Sequence, residues 1–278
     1  MSEIDIDTLR RWIGREESRG DVITAALAER FEATLGLDPV AGLGAPAPRL
    51  IHLCLGLPAV PAEALGPDGH PARGDFLPPV PLPNRMWAGG RFEFEGTLHV
   101  GDAVTRTSRI EDVTLKRGRS GTLCFVTVGH RVTGPAGAVI ERQNIVYRDG
   151  TGAPRGADPA GSGQWVRTVA ADPVTLFRYS AITFNGHRIH YDQPYATGVE
   201  GYPGLVVHGP LQASWLYHFA AELRDGAPPA AFEFRSRAPL FDTDTITLNA
   251  ALRDDGSVAL WSAAAQGPAS MEATAHWL

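Results

Sequence analysis

Two cysteines, Cys54 and Cys124, are all that this 278-residue chain contains. That excludes a disulfide framework and a thiolate metal cluster. Lysine is scarcer still: Lys116 stands alone, and the rest of the 25 Lys+Arg are arginines. Basic charge is not in excess, with a net charge of −6 and a pI of about 5.8. No basic stripe marks a nucleic-acid binder. No apolar run reaches membrane-spanning length. The start, Met1-Ser-Glu-Ile-Asp-Ile-Asp, is acidic and lacks the apolar core of a signal peptide. The expectation is a cytoplasmic protein with neither a membrane nor a nucleic-acid partner. What is present is ordinary: 44% hydrophobic and 20% charged residues, enough for one large domain or two small ones. Arginine suits bidentate recognition of phosphate and carboxylate, although an Arg/Ala/Gly/Pro-rich composition explains its abundance equally well.

The chain opens with helical spacing at Thr8–Ile13. A second helix is expected from the cap Asp21, with Val22, Ile23, Ala26, Leu27, Phe31 and Leu35 on one face and Gly36 at its end. Proline and glycine dominate residues 39–83, which read as an irregular covering segment around the apolar run Leu50–Leu55. Residues 85–150 alternate like antiparallel strands, with turns at Gly101-Asp102, Gly118–Gly121 and Pro135–Gly137. A low-complexity linker follows at 151–164. A helix is expected after Gly209, with Pro210 in its first turn and Leu211, Trp215, Leu216, Phe219 and Leu223 as its apolar stripe. Further strands run from Phe232 to Trp277. Arg91-Phe-Glu-Phe before Gly101-Asp102 echoes Phe232-Glu-Phe-Arg before Asp242-Thr243. This weak internal repeat implies one architecture twice over. The expected fold class is α+β: a double hotdog, two antiparallel sheets each wrapped around a long helix.

The chemistry concentrates between Thr183 and Leu211. Thr183-Phe-Asn-Gly-His-Arg-Ile-His190-Tyr-Asp192 places an imidazole in a polar turn. Gly204-Leu-Val-Val-His-Gly209 then opens a helix. An imidazole can take and return a proton near neutral pH. Helix-start N–H groups form an anion site, and glycine admits a substrate to the backbone. A base beside such donors suits chemistry on a thioester carbonyl. His187 and His190 are also an HxxH pair near His208, but no thiolate is at hand and the spacing is not that of HExxH zinc hydrolases, so no metal is expected. Asp192 is read either as orienting an imidazole or acting as an acid, or as capping a turn. Arg85, Arg91, Arg188, Arg235 and Arg237 are candidates for phosphate or carboxylate contacts.

These residues carry a resemblance. The turn and Val206-Val-His-Gly209 resemble the active-site region of the MaoC-like (R)-specific enoyl-CoA hydratases and dehydratases. That family's turn runs Asp, any residue, Asn, Pro, an aliphatic residue, His. Its His falls on His190, its aliphatic residue on Ile189, its Pro on Arg188 and its Asn on His187. Its catalytic Asp falls on Asn185, which cannot be a general base but can position water through its amide. Phe177–Asp192, Trp12–Arg15, Arg85–Arg91 and Asn144–Arg148 are similar to one branch, that of the mesaconyl-C4-CoA (3-methylfumaryl-CoA) hydratases, itaconyl-CoA hydratases and hydroxyacyl-thioester dehydratases of type 2.

The resemblance implies reversible hydration of a 2-enoyl thioester, with a short dicarboxylic acyl-CoA as substrate and no cofactor. It implies His190, Asn185 and Gly209 as catalytic residues; Asp192 joins them from its place beside the turn, not from the family pattern. Substrate-binding candidates are His187, Arg188, Tyr191, His208, Ser214, Arg85 and Arg91. Residues 1–150 are expected to form a non-catalytic hotdog, with a helical extension, that shapes the acyl pocket. Residues 165–278 are expected to form the catalytic one. The alternatives are a dehydratase for a plain or polyketide-type chain, a thioesterase and a non-catalytic acyl-thioester binder. A double hotdog can be complete as a monomer; a homodimer is possible.

Overall fold

The computed structural model describes residues 4–39, 42–118, 121–149 and 158–277. Among these described residues ten strands form one antiparallel sheet. In chain order they are β1 (Glu16–Val22), β2 (Asn84–Gly96), β3 (Ala103–Gly118), β4 (Gly121–Thr133), β5 (Gly137–Arg148), β6 (Trp165–Val169), β7 (Ala231–Ser236), β8 (Ile246–Leu252), β9 (Val258–Ala264) and β10 (Ala269–His276). The order across the sheet is β1-β3-β4-β5-β2-β7-β10-β9-β8-β6. Read inward from either edge, the connectivity is the same: β1-β3-β4-β5-β2 meets β6-β8-β9-β10-β7 at the β2–β7 seam. The two echoing segments pair at that seam, Arg91 opposite Glu233 and Phe92 opposite Phe232. Close packing there explains why both carry the aromatic alternation: the Phe92 and Phe232 rings stack at 6.3 Å.

Alternation sets the faces of each strand. On β4, Cys124, Val126, Val128 and Val132 are buried while Arg131 and Thr133 are exposed. The sheet curls around α5 (Gly209–Glu222), which packs on β7, β8, β9 and β10. Leu211, Trp215, Leu216, Phe219 and Ala220 are all buried, as is most of that helix. A helix apolar nearly all round needs enclosure on every side, and the sheet supplies it.

The helices before it are α1 (Ile6–Arg10), α2 (Ala25–Leu35), α3 (Pro173–Ile182) and α4 (Gln193–Gly198). Helix α1 begins at the cap Asp5, whose carboxylate accepts the Thr8 N–H, so it lies slightly earlier than Thr8–Ile13. Helix α2 is capped by Thr24, not Asp21: Thr24 Oγ1 accepts the Leu27 N–H at 3.1 Å. Asp21 belongs to β1 and accepts the Gly56 N–H. Strand β1 was not expected, because Glu-Glu-Ser-Arg-Gly-Asp-Val carries no apolar alternation. It forms as a mostly exposed edge on β3. Gly36 ends α2 in the left-handed region as expected, at φ 70°.

The irregular segment 42–83 contributes Leu50, Ile51, Cys54 and Leu55 to the main core. Its later part crosses to the second half of the molecule. Gly150, residues 151–157 of the expected linker, and Arg119 and Ser120 of the expected β3–β4 turn lie outside the described residues. The linker's last residues are tied down: Ala160 N–H donates to Gly267 O, Gly163 N–H to Asn249 Oδ1 and Trp261 Nε1–H to Gly161 O. No helix among the described residues is long and apolar enough to cross a membrane.

Candidate active site

Helix α3 delivers the turn. Phe184, in the left-handed region at φ 48°, reverses the chain behind it. The Asn185 N–H then returns to Ser180 O at 2.8 Å. Asn185 Oδ1 accepts the His187 N–H at 3.0 Å, an Asx turn. A single 3₁₀ turn, Arg188–His190, follows. It is fastened to the strand-like approach to α5 by two bonds. Val206 N–H donates to Ile189 O at 2.9 Å, and His190 Nδ1–H donates to Val206 O at 2.7 Å.

That second bond fixes the tautomer. With the proton on Nδ1, the lone pair of His190 sits on Nε2. Burial pulls the His190 pKa down to about 4, countered in part by the Val206 carbonyl, so the ring is neutral at pH 7. His208 stacks on it at 3.7 Å and shares a 2.8 Å hydrogen bond between Nε2 and Ser180 Oγ. Burial, with His190 and His187 adding to it, holds His208 well below its ordinary value. His208 is therefore a neutral floor beneath the His190 ring.

His208 is also the N-cap of α5, and Gly209 is the first helical residue. First-turn N–H groups have no intrahelical acceptor, and the dipole adds positive potential there. Pro210 removes one of these donors, leaving Gly209 N–H closest to the imidazole in sequence. A Cβ on Gly209 would lie 2.9 Å from Trp87 Cε3. Any side chain there must displace that ring or the helix start.

His190 and Gly209 line one cavity of about 770 Å³, together with Asn185, His187, Tyr191 and Arg85. Its far wall comes from the first half of the chain and includes Trp87, Arg73, Asp68 and His70. A second hollow on the sheet holds Arg91 and Arg235 and none of these imidazoles.

The expected residues therefore divide. Asp192 is not an acid against the imidazole: it caps α4 through the Tyr195 N–H and binds Arg188, which holds its carboxyl below the ordinary range. Arg188 is spent on Asp192, on Pro67 O and on the Tyr195 ring. Arg91 pairs with Glu93 and Glu233 in the other hollow, and Arg237 pairs with Glu272. Ser214 Oγ donates to Pro210 O inside α5, fully buried and not at the cavity wall. His208 supports the site from beneath. Tyr191 lines it while its hydroxyl donates to Gly186 O. Asn185 keeps its place, but Oδ1 is occupied, so its amide hydrogens are what it offers.

Sequence reasoning missed Asp68 and His70. Asp68 Oδ2 accepts from His70 Nδ1–H at 3.1 Å, and Oδ1 accepts the His70 N–H at 3.1 Å. Burial works against the Asp68 charge, yet the His70 bonds carry its pKa below the ordinary range. The His70 ring lies 4.2 Å from that of His187, which lies 5.4 Å from that of His190. The only local signal was an Asp-Gly turn in an aperiodic segment. Donor atoms of Asp68, His70 and His187 come within 4.8 Å of one another, the one such cluster among the described residues. Both Asp68 oxygens are already used by His70.

A double hotdog with a neutral imidazole lone pair beside a glycine-started helix is the build of a MaoC-like hydro-lyase. The family model for hydroxyacyl-thioester dehydratase type 2 matches residues 50–242, and the chain belongs to that family. It is 47% identical over 240 residues to mesaconyl-C(4)-CoA hydratase of Chloroflexus aurantiacus, covering 83% of this chain and 84% of that protein. A solved MaoC-like dehydratase superposes with a TM-score of 0.70 at 14% identity, covering 97% of this chain and all 100% of the other. A conserved hypothetical protein of Mycobacterium tuberculosis, described as a double hotdog, gives 0.54 at 12% identity over 95% and 96% of the two chains. At those identities the two structures speak for the fold alone.

Proposed function

We propose that this hydro-lyase adds water reversibly to a short dicarboxylic 2-enoyl-CoA, with mesaconyl-C4-CoA as the first candidate. The observation that carries the reading is the His190–Gly209 pair at one cavity wall, a fixed Nε2 lone pair beside a free helix-start N–H. The relative from Chloroflexus supports the substrate class. Residues 165–278 supply the reacting groups in this reading, and residues 1–150 supply the opposite wall of the acyl pocket. Arg85, of β2, is the expected arginine that lines the cavity, and we assign it to the distal carboxylate.

The thioester oxygen docks on Gly209 N–H at the positive end of α5. A water rests on His190 Nε2, steadied by the Asn185 amide hydrogens. Its oxygen attacks Cβ while its proton passes to an imidazole. The π electrons move towards the thioester oxygen, where the amide N–H stabilises the enolate by about 3–4 kcal/mol. The proton then returns to Cα, completing addition of one water. The reverse sequence is dehydration. A thioesterase would instead need a carboxylate to activate water at C1, and Asn185 stands where the family turn has its Asp.

The test is a substrate panel. Mesaconyl-C4-CoA, itaconyl-CoA and plain 2-enoyl-CoA esters are incubated with the protein and followed by mass spectrometry, with free thiol measured in parallel. The proposal predicts gain of one water on the dicarboxylic esters, fastest on mesaconyl-C4-CoA, without thiol release. Hydrolysis, or no change on any ester, contradicts it.

A further inference from the structure

We propose that His70, oriented by Asp68, is the second acid/base group of this site, supplied by the first half of the chain in place of the carboxylate that Asn185 does not provide. The proposal rests on the hydration reading above.

Geometry carries it in three ways. First, His70 and Asp68 line the same cavity as His190 and Gly209, with His187 in ring contact between the two imidazoles. Second, the loop that bears them is sewn to the catalytic turn. Arg188 N–H donates to Asp68 O at 2.9 Å and Arg188 Nη1–H to Pro67 O at 3.1 Å. Gly69 and Gly186 meet backbone to backbone, so that a Cβ on Gly69 would lie 1.9 Å from Gly186 O. A mere cover needs no such register. Third, the two imidazoles differ in what stands behind them. His190 donates its Nδ1–H to a neutral carbonyl, whereas His70 donates its own to a carboxylate. An imidazolium forming on His70 becomes half of an ion pair; one forming on His190 does not.

The division of labour follows. Water bonds to Cβ as its proton passes to His70 Nε2, and the C=C π pair becomes the thioester enolate held at Gly209. The Cα–H bond then forms with the proton that His70 returns. No other reactant is consumed. His190 holds the water by its Nε2 lone pair, and Asp68 acts through His70. The groups facing His70 are Asp68 and Arg73 from its own loop, Arg85 from β2, and His187 and His190 from the turn. Burial, Arg85 and Arg73 lower its pKa while Asp68 raises it. Removing the Asp68 charge therefore lowers it further.

The experiment measures kcat and kcat/KM against pH for the wild type, His70→Gln and Asp68→Asn on the best ester of the panel, with melting curves and metal analysis of each. For His70→Gln, kcat falls by about 10²-fold, within the range of a lost acid/base group, and the acid limb of kcat/KM disappears. For Asp68→Asn, kcat falls at least several-fold with KM little changed, and the acid limb moves to lower pH. Loss of activity in both variants with an unmoved acid limb in Asp68→Asn assigns a structural role and overturns the proposal. So does wild-type kcat in His70→Gln. A stoichiometric divalent metal whose chelation stops turnover also overturns it. If the wild type adds water to no ester, the functional reading fails first and takes this one with it. If it adds water and His70→Gln does so at the wild-type rate, this one fails alone.

Discussion

Replacing Gly209 by alanine tests the oxyanion site with a change of one methyl group. The new Cβ would lie 2.9 Å from Trp87 Cε3, with further ring and Cβ atoms of Trp87 at 3.7 and 3.8 Å. The closest contact is roughly half an ångström shorter than ordinary carbon–carbon contact. Trp87 cannot swing away freely, since its ring packs on Phe234 at 4.4 Å and near Phe92 at 6.4 Å. The helix start moves instead, or the ring tilts into the acyl cavity. Either displacement takes the N–H off the thioester oxygen. Loss of one such donor is worth about 2.7–4 kcal/mol, a fall of about 10²–10³-fold in kcat. Overpacking of this kind costs about 1–3 kcal/mol of stability, so the protein remains folded. Steady-state hydration, with a melting curve, reads both. The companion variant Gly209→Ala with Trp87→Leu removes the obstructing ring and recovers part of the lost kcat. Gly209→Ala with kcat within threefold of wild type and an intact fold would refute the oxyanion assignment.

Four further outcomes are expected. His190→Ala removes the lone pair that positions the water and lowers kcat by about 10²-fold or more while the melting temperature and circular dichroism stay near wild type; retention of most activity would remove this residue from the chemistry. Asn185→Asp keeps the acceptor for His187 N–H but adds charge beside two imidazoles, so their pKa values rise and the acid limb of the rate profile moves to higher pH; an unmoved limb would place Asn185 away from the reacting groups. Gly69→Ala cannot keep φ 87° or clear Gly186 O, so the loop lifts from the turn and kcat falls more than the melting temperature; proteolysis within residues 60–75 checks the lifting. Glu141→Gln concerns a buried acid raised to about 7 by desolvation, 3.6 Å from a His52 that burial holds neutral at about 3. A raised carboxyl pKa contributes stability below its unfolded value, near 4.5, and loses it as pH rises through about 7. Glu141→Gln therefore stabilises the protein at pH 8 relative to pH 5, and urea titrations that show no pH dependence in the difference would contradict this.

Much of the architecture was legible because it depends on short-range pattern. Alternation in 103–110 and 138–147 reported two-faced strands, and Arg91-Phe-Glu-Phe and Phe232-Glu-Phe-Arg reported the seam where β2 meets β7. Gly209-Pro210 and the stripe behind it reported α5. Strand β1 was not legible: an exposed edge needs no apolar face, and its partner β3 is far away in sequence. Within the site, the turn around His190 was visible because its residues are contiguous. Asp68 and His70 were not, because their meeting with the turn spans more than a hundred residues and leaves no local period; the Arg188–Pro67 bond alone joins positions 121 apart. At Asp192 the turn-cap reading holds and the acid reading does not, for the opposite reason. It is adjacent in sequence to the reactive turn, yet its oxygens go to Arg188 and to the start of α4.

Addition of water across a conjugated thioester at the His190–Gly209 site can be followed atom by atom. The most direct measurement incubates mesaconyl-C4-CoA with the protein in isotopically labelled water and analyses the ester by mass spectrometry, with His190→Ala alongside. One labelled oxygen is expected on the β-carbon of an intact CoA ester, and none in the variant. An ester that takes up no label, or label found in a free acid after release of CoA, would contradict it.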